Sequence, residues 1–356
     1  MDRFARPWGP GTASLITDTT TNPARQVRWT NCGQHRDLRV TTDDGVTLAV
    51  RDVGPPTATR TVVFLHGFCL TWLSWTRQIS YLTKTYGESV RVISYDHRGH
   101  GRSGQAPMST YRIDRLAEDL AQVLAATQVS GRVTLVGHSM GGMTALAYLG
   151  RLGADRPIDP HGLVLAATAA GKLAERGLGK LLATPATAAL FGLVERSPDQ
   201  AVRAMVGPVC ATLKRWRRGA QSATGAAVTA AALASTAVST AVGFLPSLRA
   251  YDQYAALGSI QARTVVVSGG TDPLTPPAHG LDLVAGIPGA QHVHVPGAGH
   301  MLPQEAREVL NDAIRRTMDG AQGSWSAVGE VVSLAETAGD SPAAPAGVAA
   351  AAGVAS

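Results

Sequence analysis

At 356 residues the chain can hold one large core with a smaller appended unit, because single cores stop growing at about 250 to 300 residues. Its 45% hydrophobic and 16% charged content excludes a disordered or fibrous chain. The net charge of +6 is spread over many segments, so nucleic acid is not an expected partner; Cys32, Cys69 and Cys210 have neither the even number nor the spacing of a disulfide framework or a zinc site.

Residues 1–35 mix Pro, Gly, Thr and Arg without periodicity and read as an irregular extension. The first twenty of them lack the apolar run of a signal peptide, and three widely separated cysteines suit a reducing cytoplasm. From Arg36 the polarity alternates. Asp37–Thr41 and Val46–Asp52 flank Asp43-Asp44-Gly45, the signal of a turn between two antiparallel strands.

Short apolar runs of strand length follow at Thr61–Leu65, Val90–Tyr95, Val133–Val136, Leu163–Ala166, Thr264–Ser268 and His292–Val295. Helical spacing separates most of them. Ile113, Leu116, Leu120 and Leu124 share one face, as do Ala145, Leu146 and Leu149, and later Ala306, Leu310 and Ile314. The alternation predicts an α/β fold, a mostly parallel sheet flanked by helices, with its core in residues 36–170 and 251–320.

Between 171 and 250 the strands stop while Ala and Leu continue, which predicts an inserted helical cap. Its uncharged stretch Gly219–Leu248 is rich in Ala, Thr and Ser and interrupted by Gly225, Gly243 and Pro246, a poor membrane span. Lys214-Arg215-Trp216-Arg217-Arg218 precedes it. That cluster is a solvated helix face or, as the less favoured reading, a weak contact with an anionic membrane surface. Residues 321–356 turn to Ala, Gly, Ser and Pro and read as a flexible tail.

Four motifs carry chemistry. Gly137-His138-Ser139-Met140-Gly141 lies between a strand and a helical pattern, so the bend lifts Ser139 into reach of a substrate and points the Met140 N–H at the reacting centre. Leu65-His66-Gly67-Phe68-Cys69 follows another strand, where Gly67 can turn the Phe68 N–H toward the same point, with His66 bracing the loop and Cys69 packing. Asp272 follows the strand Thr264–Ser268, and His300 ends the Gly-rich loop Val295-Pro296-Gly297-Ala298-Gly299-His300. The order Ser139, Asp272, His300 predicts a nucleophile, an orienting acid and a general base, and the Phe68 and Met140 amides predict an oxyanion hole.

These motifs, with Asp96-His97-Arg98-Gly99-His100-Gly101-Arg102-Ser103, Gly142 and Thr275-Pro276, resemble the α/β-hydrolase superfamily, especially its capped, cofactor-free esterase and haloperoxidase-like branch. The resemblance spans roughly Arg36–Met318. It implies a serine hydrolase that needs no metal and no organic cofactor, acting on a small-molecule ester, and the weakly polar predicted cap suggests an apolar acyl group. It also implies a structural role for Asp96, Arg98 and Ser103. Relatives that use an alkyl-enzyme carry Asp at the elbow, so Ser139 speaks against that chemistry. The same constellation would serve perhydrolysis, carbon–carbon cleavage or amide hydrolysis. A binding module with little turnover is the reading from a different class, and oligomeric state is left open.

Overall fold

The computed structural model describes residues 28–32, 35–177, 236, 238–320 and 330–332. Among them ten strands form one sheet in the order β1-β2-β3-β5-β4-β6-β7-β8-β9-β10. The central members are β4 (Arg60–Leu65), β5 (Val90–Tyr95), β6 (Arg132–His138), β7 (Gly162–Ala166), β8 (Arg263–Gly269) and β9 (Gln291–Val295), and all of them run parallel. Every residue of β5 and β7 is buried, as strands covered by helices on both faces are, and the one charge among them, Arg91, is paired with Asp52 at 3.0 and 2.8 Å.

The helices are divided between those faces. On one side lie α2 (Ile113–Ala126), α3 (Met140–Leu149), α4 (Val238–Ala250), α5 (Tyr254–Leu257) and α6 (Pro277–Gly286), which contribute Leu116, Leu146, Phe244, Leu257 and Leu283 to one core. Opposite it, α1 (Thr76–Tyr86), α7 (Leu302–Glu305) and α8 (Arg307–Asp319) contribute Ile79, Leu82, Leu302, Leu310 and Ile314 to the other. The helical spacings read from sequence at Ile113–Leu124 and Ala306–Ile314 therefore mark faces that pack on opposite sides of the sheet.

The opening hairpin joins β2 (His35–Thr41) to β3 (Thr47–Val53), antiparallel to each other, and β3 runs antiparallel to β5. Along β3 alternate residues are buried, which is the period-2 pattern of a strand with one solvated face. Two further strands lie where the sequence predicts irregular or flexible chain: β1 (Arg28–Cys32) extends β2, and β10 (Glu330–Val332) extends β9. The expectation is corrected at these residues. An open sheet edge recruits backbone by its unpaired N–H and C=O groups and needs no hydrophobic periodicity in the added segment.

Within the predicted cap, Val238–Ala250 is helical and is tied to the core. Ser247 Oγ accepts the Ile113 N–H at 2.9 Å, supplying from outside the cap that α2 lacks. Thr240 Oγ1 lies 3.0 Å from Gln105 Oε1 and 3.1 Å from the Tyr111 hydroxyl. Residues 178–235, with the Lys214–Arg218 cluster, and the remainder of the predicted extension and tail lie outside the described residues. No helix among the described residues is long and apolar enough to cross a membrane.

The turn after β5 is held by a buried ion network. Arg98 is fully buried and grips Asp119 with two hydrogen bonds of 2.7 and 2.6 Å, while Asp44 at the hairpin turn takes two more at 2.8 and 3.2 Å. Asp96 accepts the Trp72 and Arg102 N–H groups at 2.8 and 2.9 Å, and Ser103 Oγ donates to the Asp96 carbonyl at 2.5 Å. This stretch ties the hairpin, α2 and the loop after β4 into one piece. Asp119→Ala leaves part of a buried guanidinium unpaired and is expected to cost about 3–5 kcal/mol, measured as the drop in unfolding free energy in a urea titration.

Candidate functional site

Ser139, Asp272 and His300 all stand just beyond the C-terminal ends of parallel strands, after β6, β8 and β9 respectively. Ser139 sits at the bend into α3 with φ at 52° and ψ at −119°, a left-handed backbone that side-chain-bearing residues seldom adopt. Its surroundings hold that conformation. The Ser139 N–H donates to the Ala166 carbonyl at 2.9 Å, and its own carbonyl accepts Gly142 N–H at 2.9 Å, Met143 N–H at 3.1 Å and Thr168 Oγ1 at 2.7 Å. Gly141 completes the bend by close approach. A Cβ there would overlap the Leu65 carbonyl and lie 2.8 Å from the His66 carbonyl, so a side chain at this position would push the loop after β4 away from the elbow.

The loops bearing Asp272 and His300 are laced together. Gly270 N–H donates to Val295 O at 2.8 Å, Thr271 N–H to Ala298 O at 3.0 Å, and Thr271 Oγ1 to the same carbonyl at 3.0 Å. Gly299 N–H, just before His300, donates to Glu305 at the end of α7 at 2.5 Å. In this frame His300 Nδ1–H donates to Asp272 Oδ2 at 2.8 Å, and His300 Nε2 accepts from Ser139 Oγ at 3.0 Å. The imidazole side chain keeps 12% of its surface exposed while the Asp272 carboxylate keeps none. The imidazole thus lies nearer the surface and the carboxylate lies behind it.

Asp272 is well supplied with donors. Leu274 and Thr275 N–H reach Oδ1 at 2.8 and 3.0 Å, and Thr275 Oγ1 reaches Oδ2 at 2.7 Å. Burial alone would push this carboxyl up; the His300 hydrogen bond and charge, with the Thr275 N–H and hydroxyl, outweigh it and hold the group below the usual carboxylate range. An ionised Asp272 keeps the proton on Nδ1 and leaves Nε2 as the acceptor for Ser139.

The loop after β4 lies against the elbow. Phe68 and Met140 make no backbone N–H hydrogen bond to another described residue, and the Met140 N–H, first in α3, belongs to the turn of a helix that has no internal acceptor. His66 braces the loop: Nδ1–H donates to Gly67 O at 2.8 Å and Nε2 accepts His97 N–H at 2.9 Å. His100 does the same from the next turn, accepting Cys69 N–H at 3.2 Å and donating to Arg98 O at 3.0 Å. Cys69 is buried. Phe68 itself packs edge-on against Phe244 of α4, with ring centroids 6.4 Å apart.

Two contributors were not singled out from sequence for the roles they take here. Thr275 occurs in the quoted Thr275-Pro276 pair, and its distance of three residues from Asp272 is the spacing at which a hydroxyl can cap a carboxylate turn. His138 is hidden as the variable residue of the elbow; its Nε2–H donates to the His300 carbonyl at 2.8 Å, a contact between residues 162 positions apart for which the sequence holds no local signal. Among the described residues no group of three His, Cys, Asp or Glu side chains could hold a metal ion.

The model of the alpha/beta hydrolase fold family matches residues 60–306, which covers all five predicted site residues. The chain belongs to this family. It is 39% identical over 121 residues to the bifunctional esterase/perhydrolase DCH of Acinetobacter calcoaceticus, covering 34% of this chain and 40% of that protein. A non-heme chloroperoxidase of Streptomyces lividans is 38% identical over 112 residues, covering 32% of this chain and 38% of that one. The chain thus spans about two fifths of the length of these curated relatives. Among solved structures, a hydrolase from Pseudomonas aeruginosa PA01 superposes with a TM-score of 0.63 at 26% identity, covering 80% of this chain and 98% of that one.

The buried histidines make a pH prediction. Burial pushes His66 down to about 4 from an ordinary 6.5, and pushes His100 down to about 3; at His138 burial and then the charge of His300 bring it to about 3. Above pH 6.5 both folded and unfolded chains carry these rings neutral, whereas below it the unfolded chain binds protons that the folded one refuses. The contribution of these three rings to stability is therefore full above pH 6.5 and falls as the pH drops toward about 3. Urea midpoints recorded across that range are expected to decline steadily, and a flat profile down to about pH 4 would contradict neutral burial of these rings.

Proposed function

We propose that this protein is a serine hydrolase that cleaves a carboxylic ester with an apolar acyl group through an acyl-enzyme intermediate. The observation that carries this reading is the continuous hydrogen-bond chain from Ser139 Oγ to His300 and on to Asp272, at 3.0 and 2.8 Å, on a strained strand-to-helix bend. A solvated serine on an ordinary turn requires neither the strain nor the partners. Membership of the alpha/beta hydrolase fold family and likeness to a protein named as an esterase support it.

In the proposed reaction Ser139 Oγ attacks the ester carbonyl as its proton passes to His300 Nε2, and Asp272 stabilises the imidazolium. The Phe68 and Met140 N–H groups, which have no competing acceptor among the described residues, receive the carbonyl oxygen as it becomes an oxyanion. Collapse of that intermediate returns the proton to the leaving alcohol and leaves the acyl group on Ser139. Water then gives its proton to His300 and attacks the acyl carbon, releasing the acid and restoring the serine.

A second reading has its own support. The stretch shared with the bifunctional esterase/perhydrolase favours hydrogen peroxide as an alternative acyl acceptor, with the same acyl-enzyme releasing a peracid. No new side chain is needed for it. Acid-dependent peracid formation in the presence of peroxide is the outcome that separates this acceptor from water.

Purified wild type and Ser139→Ala are to be compared on a p-nitrophenyl ester chain-length series and with a fluorophosphonate probe, both proteins shown to be folded by circular dichroism. The expected result is labelling and turnover by wild type, and loss of labelling with a fall of at least about 10³ in kcat for the mutant. A folded wild type that neither labels nor turns over any ester overturns the hydrolase reading in favour of a binding module. His300→Ala is expected to fall by a similar factor without an added loss in the double mutant, because the two groups act as one unit.

A further inference from the structure

We propose that His138 is a positioning residue which, by donating its Nε2–H to the His300 carbonyl, sets the distance between the nucleophile and its base. The inference rests on the serine hydrolase reading and deepens it. Ser139 and His300 belong to separate strand ends, and His138 is joined to both: covalently to Ser139, and by a 2.8 Å hydrogen bond to the backbone of His300. Its imidazole therefore links, within one residue of each reacting side chain, the two loops whose separation decides whether Nε2 can take the serine proton.

The geometry around His138 is built to hold that one bond. The residue is 1% exposed, and Trp75 meets its ring edge-on at 6.4 Å with an interplanar angle of 84°. The loop after β4 also lies close to the ring, since a Cβ on Gly67 would lie 2.8 Å from His138 Nδ1. A buried ring with such close neighbours has little freedom to swing, so the bond it makes transmits its position to His300.

Its protonation state is decided by its partners. A carbonyl only accepts, so the proton sits on Nε2, while Nδ1 is buried with no hydrogen-bond partner among the described residues. A second proton on Nδ1 would be a buried, unsatisfied N–H on a cation. The neutral form has a direct benefit for the reaction. The His138 and His300 rings lie 5.0 Å apart, and a neutral neighbour does not oppose the positive charge that His300 gains when it accepts the Ser139 proton.

Three substitutions separate a hydrogen bond from mere bulk. His138→Phe keeps a ring and removes the donor; His138→Gln places an amide N–H at about the reach of Nε2, and His138→Asn places it only at about the reach of Nδ1. With p-nitrophenyl acetate, His138→Phe and His138→Asn are expected to lose roughly 10- to 100-fold in kcat with KM little changed, since a displacement of about 1 Å between reacting groups carries penalties of that order. His138→Gln is expected to recover most of that loss at a thermal midpoint no higher than that of the other two. The proposal is overturned if His138→Phe and His138→Asn retain wild-type kcat, or if His138→Gln is as slow as they are. Should His138→Phe not fold, the comparison of Gln with Asn still decides. Failure of the underlying reading looks different, because wild type itself would then neither label with the fluorophosphonate nor turn over.

Discussion

Ser139 carries a side chain at a φ of 52°, and a non-glycine residue held in such a region stores on the order of 1–3 kcal/mol of strain. The neighbourhood must over-determine that conformation for it to persist. It is met from β7 by the Ala166 carbonyl, from the first turn of α3 by the Gly142 and Met143 N–H groups, and from the segment after β7 by the Thr168 hydroxyl. Gly141 allows the loop after β4 to press its carbonyls against the elbow. Relaxing Ser139 would thus require three strand ends to move together, which makes the bend a property of the sheet rather than of the pentapeptide.

Charge is distributed around that bend with the same economy. The Asp272 carboxylate, hidden behind His300, is kept ionised by four donors: the His300 ring, two backbone N–H groups and the Thr275 hydroxyl. Three further rings, His66, His100 and His138, are buried and neutral, each using a carbonyl to hold its proton on one nitrogen. Positive charge formed on His300 would consequently meet a carboxylate and no competing cation from these rings. Farther down, Arg98 with Asp119 and Asp44 locks the turn that carries His100 to the hairpin and α2, so the fixed ions lie in the scaffold and the exposed ring lies in the site.

Much of this was legible beforehand. The run Val90–Tyr95 coincides with β5 at both ends, and the other buried runs fall inside β4, β6, β7, β8 and β9 with at most two residues of difference at an end. They are legible because parallel strands covered on both faces are dominated by apolar and β-branched residues. The Asp-Asp-Gly turn is legible for a different reason, since only certain residues tolerate its backbone, and Gly45 indeed has a φ of 84°. The edge strands Arg28–Cys32 and Glu330–Val332 escaped notice because they join by backbone pairing, which leaves no side-chain period to read.

By itself the sequence determined the alternation of strand and helix, the strand ends at which Ser139, Asp272 and His300 occur, and the small residues that their turns require. Those are local properties: apolar periodicity and steric tolerance are written within a few neighbouring residues. Only the tertiary structure decided that the three side chains stand in one hydrogen-bond chain at 3.0 and 2.8 Å, that the Thr275 hydroxyl donates to Asp272, and that the His138 ring meets the His300 carbonyl across 162 positions. Distances between strand ends follow from register, twist and the packing of two cores against one sheet, none of which is a function of local sequence.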